Sequence, residues 1–184
     1  MTQSLVGNLL IAPPAVKGNF WHKTAILITE HHAHGSVGIV LNKRSELTIK
    51  QFGEQVGFNL NHPGYLYVGG PVNSQSLSFL HTNEWISKNT MRINDKFSVS
   101  SADDILPRMA AGDVPIKWRM FLGMCGWGAG QLMGEIKGIE PWSHNNSWCI
   151  ASADLDLVFD QDGKDQWCTA LDRSAQEFAQ NILA

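Results

Sequence analysis

Alternation between apolar and polar residues predicts short strands along most of the chain. In Ser36–Leu41 every second residue is a large apolar one, which is the period of a strand with one buried face. A second apolar, β-branched run covers Thr24–Glu30. The five residues between the two runs end in Gly35, which suits a hairpin loop in which that glycine takes a positive φ. The same reasoning predicts strands at 5–12, Tyr65–Val68, Leu77–His81, Met91–Ile93, Phe97–Val99, Lys117–Leu122 and Ser147–Ala151.

Two of these strands, Met91–Ile93 and Phe97–Val99, form a second predicted hairpin. A two-residue loop would set an apolar residue opposite a lysine and mix the two faces. A three-residue loop sets Met91 opposite Val99 and keeps the apolar residues on one face, so we predict the three-residue loop.

Helix signals occur at four places. Thr48 and Gln51 have the spacing of a capping box, and Gly57 is suited to end that helix. The other three helices are predicted from Ser101 to Ala111 with Pro107 inside, over Gln131–Lys137, and from a second capping box at Ser174 and Glu177 onward, with Phe178 and Ile182 four apart on one face. Strands and helices follow no strict βαβ order, so we expect an α+β fold in which helices pack on a mixed sheet.

Composition narrows the class of protein without indicating a function. With 184 residues, 43% of them hydrophobic and 17% charged, the chain is expected to fold as a single domain over residues 1–184. Three widely spaced cysteines fit free thiols in a reducing compartment, so we expect a cytoplasmic protein. No apolar stretch reaches about 18 residues and no signal peptide is recognised, so no membrane association is expected.

The charge balance bears on nucleic-acid binding. Lys and Arg number 14 against 17 Asp and Glu, a formal net charge of −3, and Lys43-Arg44 is the one adjacent basic pair. Binding to phosphate backbones depends on clustered cations, so direct nucleic-acid binding is not expected.

Glu30–His34 is the densest cluster of possible metal ligands. In an extended segment His32 and His34 point to one side and His31 to the other, so a closed site would need further ligands, such as His81 or a cysteine. The alternative is a polar hairpin loop with His31 hydrogen-bonded at its base. We favour this alternative and predict no bound metal.

The glycine-rich segment Gly123–Gln131 follows a predicted strand and opens a predicted helix. Free main-chain N–H groups at a helix start attract anions, and glycines allow close approach. The segment has neither the P-loop sequence nor the G-x-G-x-x-G fingerprint, and we predict no cofactor. The favoured interpretation is a tight turn in which Trp127 packs into the core and Cys125 is a small buried residue rather than a nucleophile.

Nine motifs spread over the chain are specific in combination: Gly7–Pro13, Phe20, Glu30-His31, Gly35–Asn42, Val68–Val72, Leu80-His81, Gly123–Leu132, Glu135-Ile136 and Trp142. Together they resemble the YqgE/AlgH family of bacterial proteins, essentially from end to end. The resemblance implies a compact domain in which a forked mixed sheet curls into a pseudo-barrel with helices packed outside. It also implies an unsettled molecular function, with one branch named for transcriptional regulation of exopolysaccharide production. The sequence has no helix-turn-helix pattern and no basic recognition helix, so direct reading of DNA is not expected.

Three positions depart from the family pattern. Lys17 stands where an aspartate is usual, Met133 where a glutamate is common, and Cys125 where alanine or serine is usual. The departure at Cys125 argues against a general catalytic cysteine. The departure at Met133 leaves Glu135 as the carboxylate of any site in this segment.

One set of polar and glycine-bearing positions forms a candidate ligand or partner site. The polar members lie on or beside predicted strand ends, and the glycines lie in loops that side chains would obstruct. These residues either converge on one cleft or satisfy buried main-chain groups in an irregular fold, and we favour the second interpretation. The positions are Glu30, His31, Asn42, Gly69, Gly70, Pro71, His81, Gly126, Trp127, Gly128, Gly130, Gln131 and Glu135.

Three functions are considered, in order of preference. The first is a non-enzymatic binding or regulatory module that acts through protein contacts or a small ligand and exposes an apolar patch. The second is an enzyme or sensor of a small anion that uses the helix start at Gly126–Gln131. The third is transcriptional regulation by DNA binding. The sequence identifies no partner, substrate or catalytic residue.

Overall fold

Ten strands form one curled sheet in the computed structural model, which describes residues 4–143 and 147–183. The strands are β1 Asn8–Ile11, β2 Ala25–His32, β3 Gly35–Val40, β4 Arg44–Thr48, β5 Tyr65–Val68, β6 Val72–Thr82, β7 Met91–Arg92, β8 Phe97–Ser101, β9 Trp118–Gly128 and β10 Cys149–Ser152. Across the sheet they follow the order β10-β1-β2-β3-β9-β6-β8-β7, and β5 pairs with both β4 and β9.

Five helices are found in the same residues, and they pack against the sheet. They are α1 Ile49–Val56, α2 Ala102–Ala110, α3 Gln131–Lys137, α4 Leu155–Phe159 and α5 Gly163–Leu183. None of these helices is long and apolar enough to cross a membrane.

Strand β9 lies at the centre of the sheet, and the sheet forks there. One edge of β9 pairs antiparallel with β6. The other edge is shared, because Tyr67 and Val68 of β5 pair in parallel with the first half, and Gly35–Gly38 of β3 pair antiparallel with the second half. The α+β class and the forked mixed sheet expected from the resemblance are therefore confirmed.

Strands β1 and β2 are apolar on both faces because helices cover both. Leu9, Ile11 and Leu27 face one core, which α4 and α5 complete. Leu10 and Ile26 face a second core, which α3 completes. Strands buried on both sides are nearly continuous apolar runs, as these two are. A third core lies between the β6–β9 part of the sheet and helices α1 and α2.

Two buried polar side chains hold the start of α5 on the sheet. Asn42 accepts a hydrogen bond from Ala25 N at 2.9 Å and donates to the Gly163 carbonyl oxygen at 2.9 Å. Arg119 donates to Gln166 Oε1 on α5 at 3.4 Å and to the carbonyl oxygen of Phe159, at the end of α4, at 3.0 Å. Asn42, one of the candidate site residues, lies just after β3 and therefore joins the start of β2 to α5.

Two local predictions are confirmed. Thr48 Oγ1 accepts from Gln51 N at 3.1 Å and Gln51 Oε1 accepts from Thr48 N at 3.0 Å, which completes the capping box. Gly57 ends the helix with φ +80°. In the second hairpin Met91 lies opposite Val99, as the three-residue loop requires. Each of these features depends on residues close together in the sequence.

The glycine-rich turn predicted after Leu122 is wrong, because β9 continues as a strand to Gly128. Gly126 and Trp127 pair with residues of β3, and this pairing keeps the segment extended. The turn is reduced to the two residues before Gln131, where α3 begins as predicted.

The helix start predicted at Ser174 is also wrong, since α5 begins at Gly163 and Ser174 is buried in its middle. Glu177 does not close a capping box; its Oε2 accepts from Ser152 N on β10 at 3.0 Å. The spacing of the two residues is therefore used for contact with the sheet and not for a helix start.

Other bounds differ by a few residues. The first hairpin loop contains Ala33 and His34 rather than five residues, and β6 begins at Val72 rather than Leu77. Pairing with neighbouring strands extends these elements beyond their apolar runs. Ser101 occupies the N-cap of α2, but its side chain makes no capping bond. Helix α4 was not predicted from the sequence.

Candidate functional site

The structure distributes the predicted site residues over separate parts of the fold. His81 pairs with Trp118 at the start of β9, whereas Trp127 lies near its end. The strand between them spans about 30 Å. His81 therefore does not line one cleft with the glycine-rich end of β9. Asn42 lies elsewhere again, at the start of α5.

Gly69 and Gly70 lie where the chain leaves β5 and crosses the main chain of β9. Gly69 N donates to the Leu122 carbonyl oxygen at 2.8 Å. A Cβ atom at Gly69 would lie 2.4 Å from the Gly123 carbonyl oxygen, and one at Gly70 would lie 2.2 Å from a main-chain carbonyl of β9. Main chain packs directly on main chain here, and Pro71 follows at the surface. The crowding predicted for this loop is thus provided by the protein itself.

The second glycine-rich segment is less crowded beyond Gly123. A Cβ atom at Gly126 would have Val72 Cγ2 as its nearest neighbour, at 3.9 Å, and one at Gly130 would meet nothing within 4 Å. Gly130 has φ +72°, so its role is the turn into α3.

Trp127, Gly128, Gln131 and Glu135 form one hydrogen-bonded cluster at the end of β9 and on α3. Glu135 is buried, and its Oε2 accepts from Trp127 Nε1 at 3.1 Å and from Trp148 Nε1 at 2.8 Å. Its Oε1 accepts from the Gln131 amide at 2.9 Å, and Gln131 Oε1 accepts from Gly128 N at 3.0 Å. The polar groups of this motif therefore bond to one another and join β9 to α3.

His31 makes the bond predicted for it at the base of the first hairpin. Its Nδ1 lies 2.7 Å from the hydroxyl oxygen of Ser36 on the paired strand. Glu30 and His32 lie beside each other, with 3.6 Å between Oε2 and Nε2. Within residues 4–143 and 147–183, no group of three or more His, Cys, Asp or Glu side chains is placed to hold a metal ion.

His81 is fully buried, and both ring nitrogens have partners. Nδ1 lies 2.9 Å from the Thr82 carbonyl oxygen, which only accepts, so Nδ1 donates and Nε2 accepts from Ser100 Oγ at 2.8 Å. The ring packs against Phe79 and Trp85. Burial lowers the pKa of His81 below its ordinary value, so the neutral ring is the folded form.

The lowered pKa of His81 predicts a pH dependence of stability. Below about pH 6.5 His81 of the unfolded chain binds a proton, whereas buried His81 of the folded chain stays neutral. The contribution of neutral His81 to the free energy of unfolding is therefore complete above that pH and is lost as the pH falls toward the pKa of the folded state. The slope due to His81 is at most about 1.4 kcal/mol per pH unit. Urea unfolding of the wild type and of His81→Gln between pH 8 and pH 5 measures it. The difference in free energy of unfolding between the wild type and His81→Gln should shrink with decreasing pH. A difference that stays constant would contradict a lowered pKa of His81.

Cys125 is buried against the fork. Burial raises the pKa of its thiol to about 12, and Sγ donates to the Gly69 carbonyl oxygen at 3.4 Å. The thiolate is the nucleophilic form of cysteine, so this side chain is unreactive near neutral pH. The geometry agrees with the prediction of a small buried residue.

A groove of about 950 Å³ lies between β10 and the second half of α5. The first half of α5 is held on the sheet, where Trp167 Nε1 donates to the Ala12 carbonyl oxygen at 2.8 Å. The second half leaves the core and exposes Phe178, Ile182 and Leu183, whose exposed fractions are 68%, 67% and 86%. The end of α5 therefore carries large apolar side chains in contact with solvent.

The lining of the groove combines apolar and acidic side chains. Ile136, Leu171 and Phe178 supply apolar surface from two helices, and Asp172 and Glu177 supply carboxylates. Among the described residues that line the groove there is no lysine or arginine. The groove therefore suits an apolar guest that carries positive charge.

Sequence reasoning did not identify this groove. Phe178 and Ile182 were recognised as one face of a helix. Because the helix was predicted to start at Ser174, its first half on the core, from which the second half extends, was not recognised. The pairing of β10 with β1, which sets the opposite wall, joins segments far apart in the chain. The apolar face on the last turns was the one available signal.

Comparison with known proteins identifies relatives along most of the chain. A family model described as DUF179, AlgH-like, matches residues 9–179. A UPF0301 protein of Rhodospirillum rubrum is 34% identical over 173 residues, which cover 92% of this chain and 86% of the relative. A UPF0301 protein of Marinomonas sp. is 32% identical over 160 residues, 85% of this chain and 81% of the relative.

Solved structures share the fold. The solution structure of the AlgH protein from Pseudomonas aeruginosa matches with a TM-score of 0.74 and 28% identity, over 94% of this chain and 92% of that one. The crystal structure of a Corynebacterium diphtheriae protein matches with a TM-score of 0.71 over 90% of this chain and 85% of that one, at 24% identity.

Proposed function

The chain belongs to the AlgH-like family, as its motifs predicted, and from that premise we propose that it is a non-enzymatic binding module. It acts through contacts with a partner protein at the groove between β10 and α5. The observation that carries this proposal is the exposed apolar surface of α5 at Phe178 and Ile182, beside a groove with apolar and acidic lining.

Three candidate groups with catalytic chemistry are engaged inside the protein, which supports binding over catalysis at these positions. Glu135 accepts from two buried indoles, His81 has partners at both ring nitrogens, and burial keeps Cys125 protonated by raising its pKa. A general acid, base or nucleophile must reach a substrate to act. The groove, in contrast, is open to a partner.

Regulation of transcription stays a prediction from the resemblance. The net charge of −3 and the acidic lining of the groove disfavour contact with a phosphate backbone. If this chain regulates transcription, the groove predicts that it does so through a protein partner.

Photo-crosslinking in growing bacterial cells tests the proposed function. Phe178 is replaced by benzoylphenylalanine, and exposed Lys50 on α1 is the matched control position. We expect a discrete protein adduct from position 178 and none from position 50. A second change, Ala175→Trp, fills the groove from an exposed position on α5 and should remove the adduct while the melting temperature stays the same. Absence of an adduct at 178, or one that persists when the groove is filled, would contradict the proposal.

A further inference from the structure

We propose that the partner enters the groove as an extended segment and adds as a strand to the outer edge of β10. This inference rests on the proposed function and specifies how the groove recognises its partner. The segment carries apolar side chains toward the groove and at least one lysine or arginine toward its carboxylates. The argument begins with the direction in which the main-chain groups of β10 point.

Strand β10 is an end strand of the sheet, and among the described strands it pairs only with β1. Ala12 N donates to the Thr24 carbonyl oxygen, on the side of β1 that faces away from β10. In an antiparallel ladder the direction alternates, so Leu10, two residues earlier, points to the same side. Ile150 lies opposite Leu10. Its N–H and C=O therefore point away from β1, to the outer edge of β10.

At Ser152, the next residue whose main-chain groups point outward, side chains of α5 make the hydrogen bonds that a neighbouring strand would make. Ser152 N donates to Glu177 Oε2 at 3.0 Å, and the Ser152 carbonyl oxygen accepts from Arg173 Nη1 at 3.3 Å. Within residues 4–143 and 147–183, no side chain bonds to the main-chain N–H or C=O of Ile150. Ile150 also lines the groove. Among the described residues, the outward main-chain groups of Ser152 are thus bonded to α5, whereas those of Ile150 remain available to a partner. An open edge of this kind pairs with an added strand.

The side chains around this edge select the chemistry of the segment. Leu171 and Phe178 form an apolar wall opposite β10, while Asp172 and Glu177 provide negative charge. The guanidinium of Arg173 beside Ser152 is paired with Asp154 at 2.7 Å. Because side chains alternate along a strand, a segment bound to Ile150 turns every second residue toward the apolar wall. The carboxylates of Asp172 and Glu177 in the same groove favour a lysine or arginine in the segment.

A random 12-residue peptide library displayed on phage provides the probe. It is selected on the folded full-length protein and depleted on the groove-filled variant Ala175→Trp. We expect enriched peptides in which apolar residues alternate with others that include Lys or Arg. Synthetic copies should bind Ala175→Trp at least about tenfold more weakly than the wild type, because the indole occupies the groove. Enrichment of acidic peptides, or of peptides that bind both proteins equally, would overturn the proposal.

An N-methyl scan of the best synthetic peptide then tests strand addition without altering the protein. Methylation of the one amide that donates to the Ile150 carbonyl oxygen should weaken binding about tenfold or more, while methylation of the adjacent amides changes it little. A uniform response along the peptide, or binding as a helix, would overturn strand addition and leave the proposed binding function intact. No groove-dependent peptide together with no crosslinked adduct at position 178 would overturn both. A dimer of this chain that dissociates in Ala175→Trp would make a second copy the occupant and overturn the inference.

Discussion

Replacing Gly69 by alanine should lower the free energy of unfolding by about 3 kcal/mol or more, whereas the same change at Gly126 should alter it by less than about 1 kcal/mol. The methyl group added at Gly69 would lie 2.4 Å from the Gly123 carbonyl oxygen, so one of the two main chains must shift. Such a shift breaks ladder bonds where the sheet forks. At Gly126 the nearest atom is 3.9 Å away, on Val72, which is an ordinary contact.

The two variants form a matched pair. Each adds one methyl group to a glycine of the same part of the sheet, and neither glycine has a positive φ. Urea unfolding followed by circular dichroism measures both free energies. Equal stability of Gly69→Ala and Gly126→Ala would show that the two glycine segments do not differ in crowding and would contradict the main-chain crossing.

Replacing Glu135 by leucine should destabilise the protein by about 3–5 kcal/mol, because each buried donor left without an acceptor costs about 1–3 kcal/mol. The donors are Nε1 of Trp127 at 3.1 Å and Nε1 of Trp148 at 2.8 Å, and the amide of Gln131 loses its acceptor as well. Apolar burial of the leucine offsets part of this loss. Glu135→Gln should fall between the wild type and the leucine variant, since an amide offers one acceptor oxygen instead of two.

Urea unfolding measures this loss, and tryptophan fluorescence reports the local change at the two indoles. The control is Glu54→Gln on the exposed side of α1, which should stay within about 0.5 kcal/mol of the wild type. If Glu135→Leu unfolded with the free energy of the wild type, the carboxylate would not be the acceptor that holds β9, α3 and the start of β10 together.

The features that were predicted correctly depend on short stretches of chain. The capping box at Thr48 needs residues three apart, and the register of Met91 against Val99 needs a loop between adjacent strands. The α+β class with a mixed sheet was expected from the order of strands and helices. The apolar runs at 5–12 and Thr24–Glu30 predicted strands, and the structure has β1 and β2 there.

The failed predictions concern residues whose partners lie far away in the chain. Gly126 and Trp127 were expected in a turn, but pairing with β3 keeps them in a strand. Ser174 and Glu177 have the spacing of a helix start, but the carboxylate bonds to Ser152 on β10 instead. The residues near Gly126 fit a turn or a strand, and those near Ser174 fit a helix start or the middle of a helix. The local sequence pattern is therefore not enough to choose between these structures.

For the candidate site, the sequence could not predict which of the chosen residues lie together. His31 was correctly expected to be hydrogen-bonded at the base of its hairpin. The loop at Gly69-Gly70 was expected to be crowded, and the structure shows that the crowding comes from the main chain of β9 at Gly123. The loop at Gly126–Gly130 was expected to be crowded as well, but it is not. The positions around Glu135 form one cluster, whereas His81 lies at the other end of β9.

By itself the sequence determined most of the strands, the capping box and the end of α1, and the register of the second hairpin, because periodicity and local hydrogen bonds act over a few residues. Only the tertiary structure decided that β9 carries the fork, that Glu135 meets two indoles and that α5 extends past the core beside the edge of β10. The reason is physical: these features arise where distant segments pack, and one chain's local pattern is compatible with several such packings.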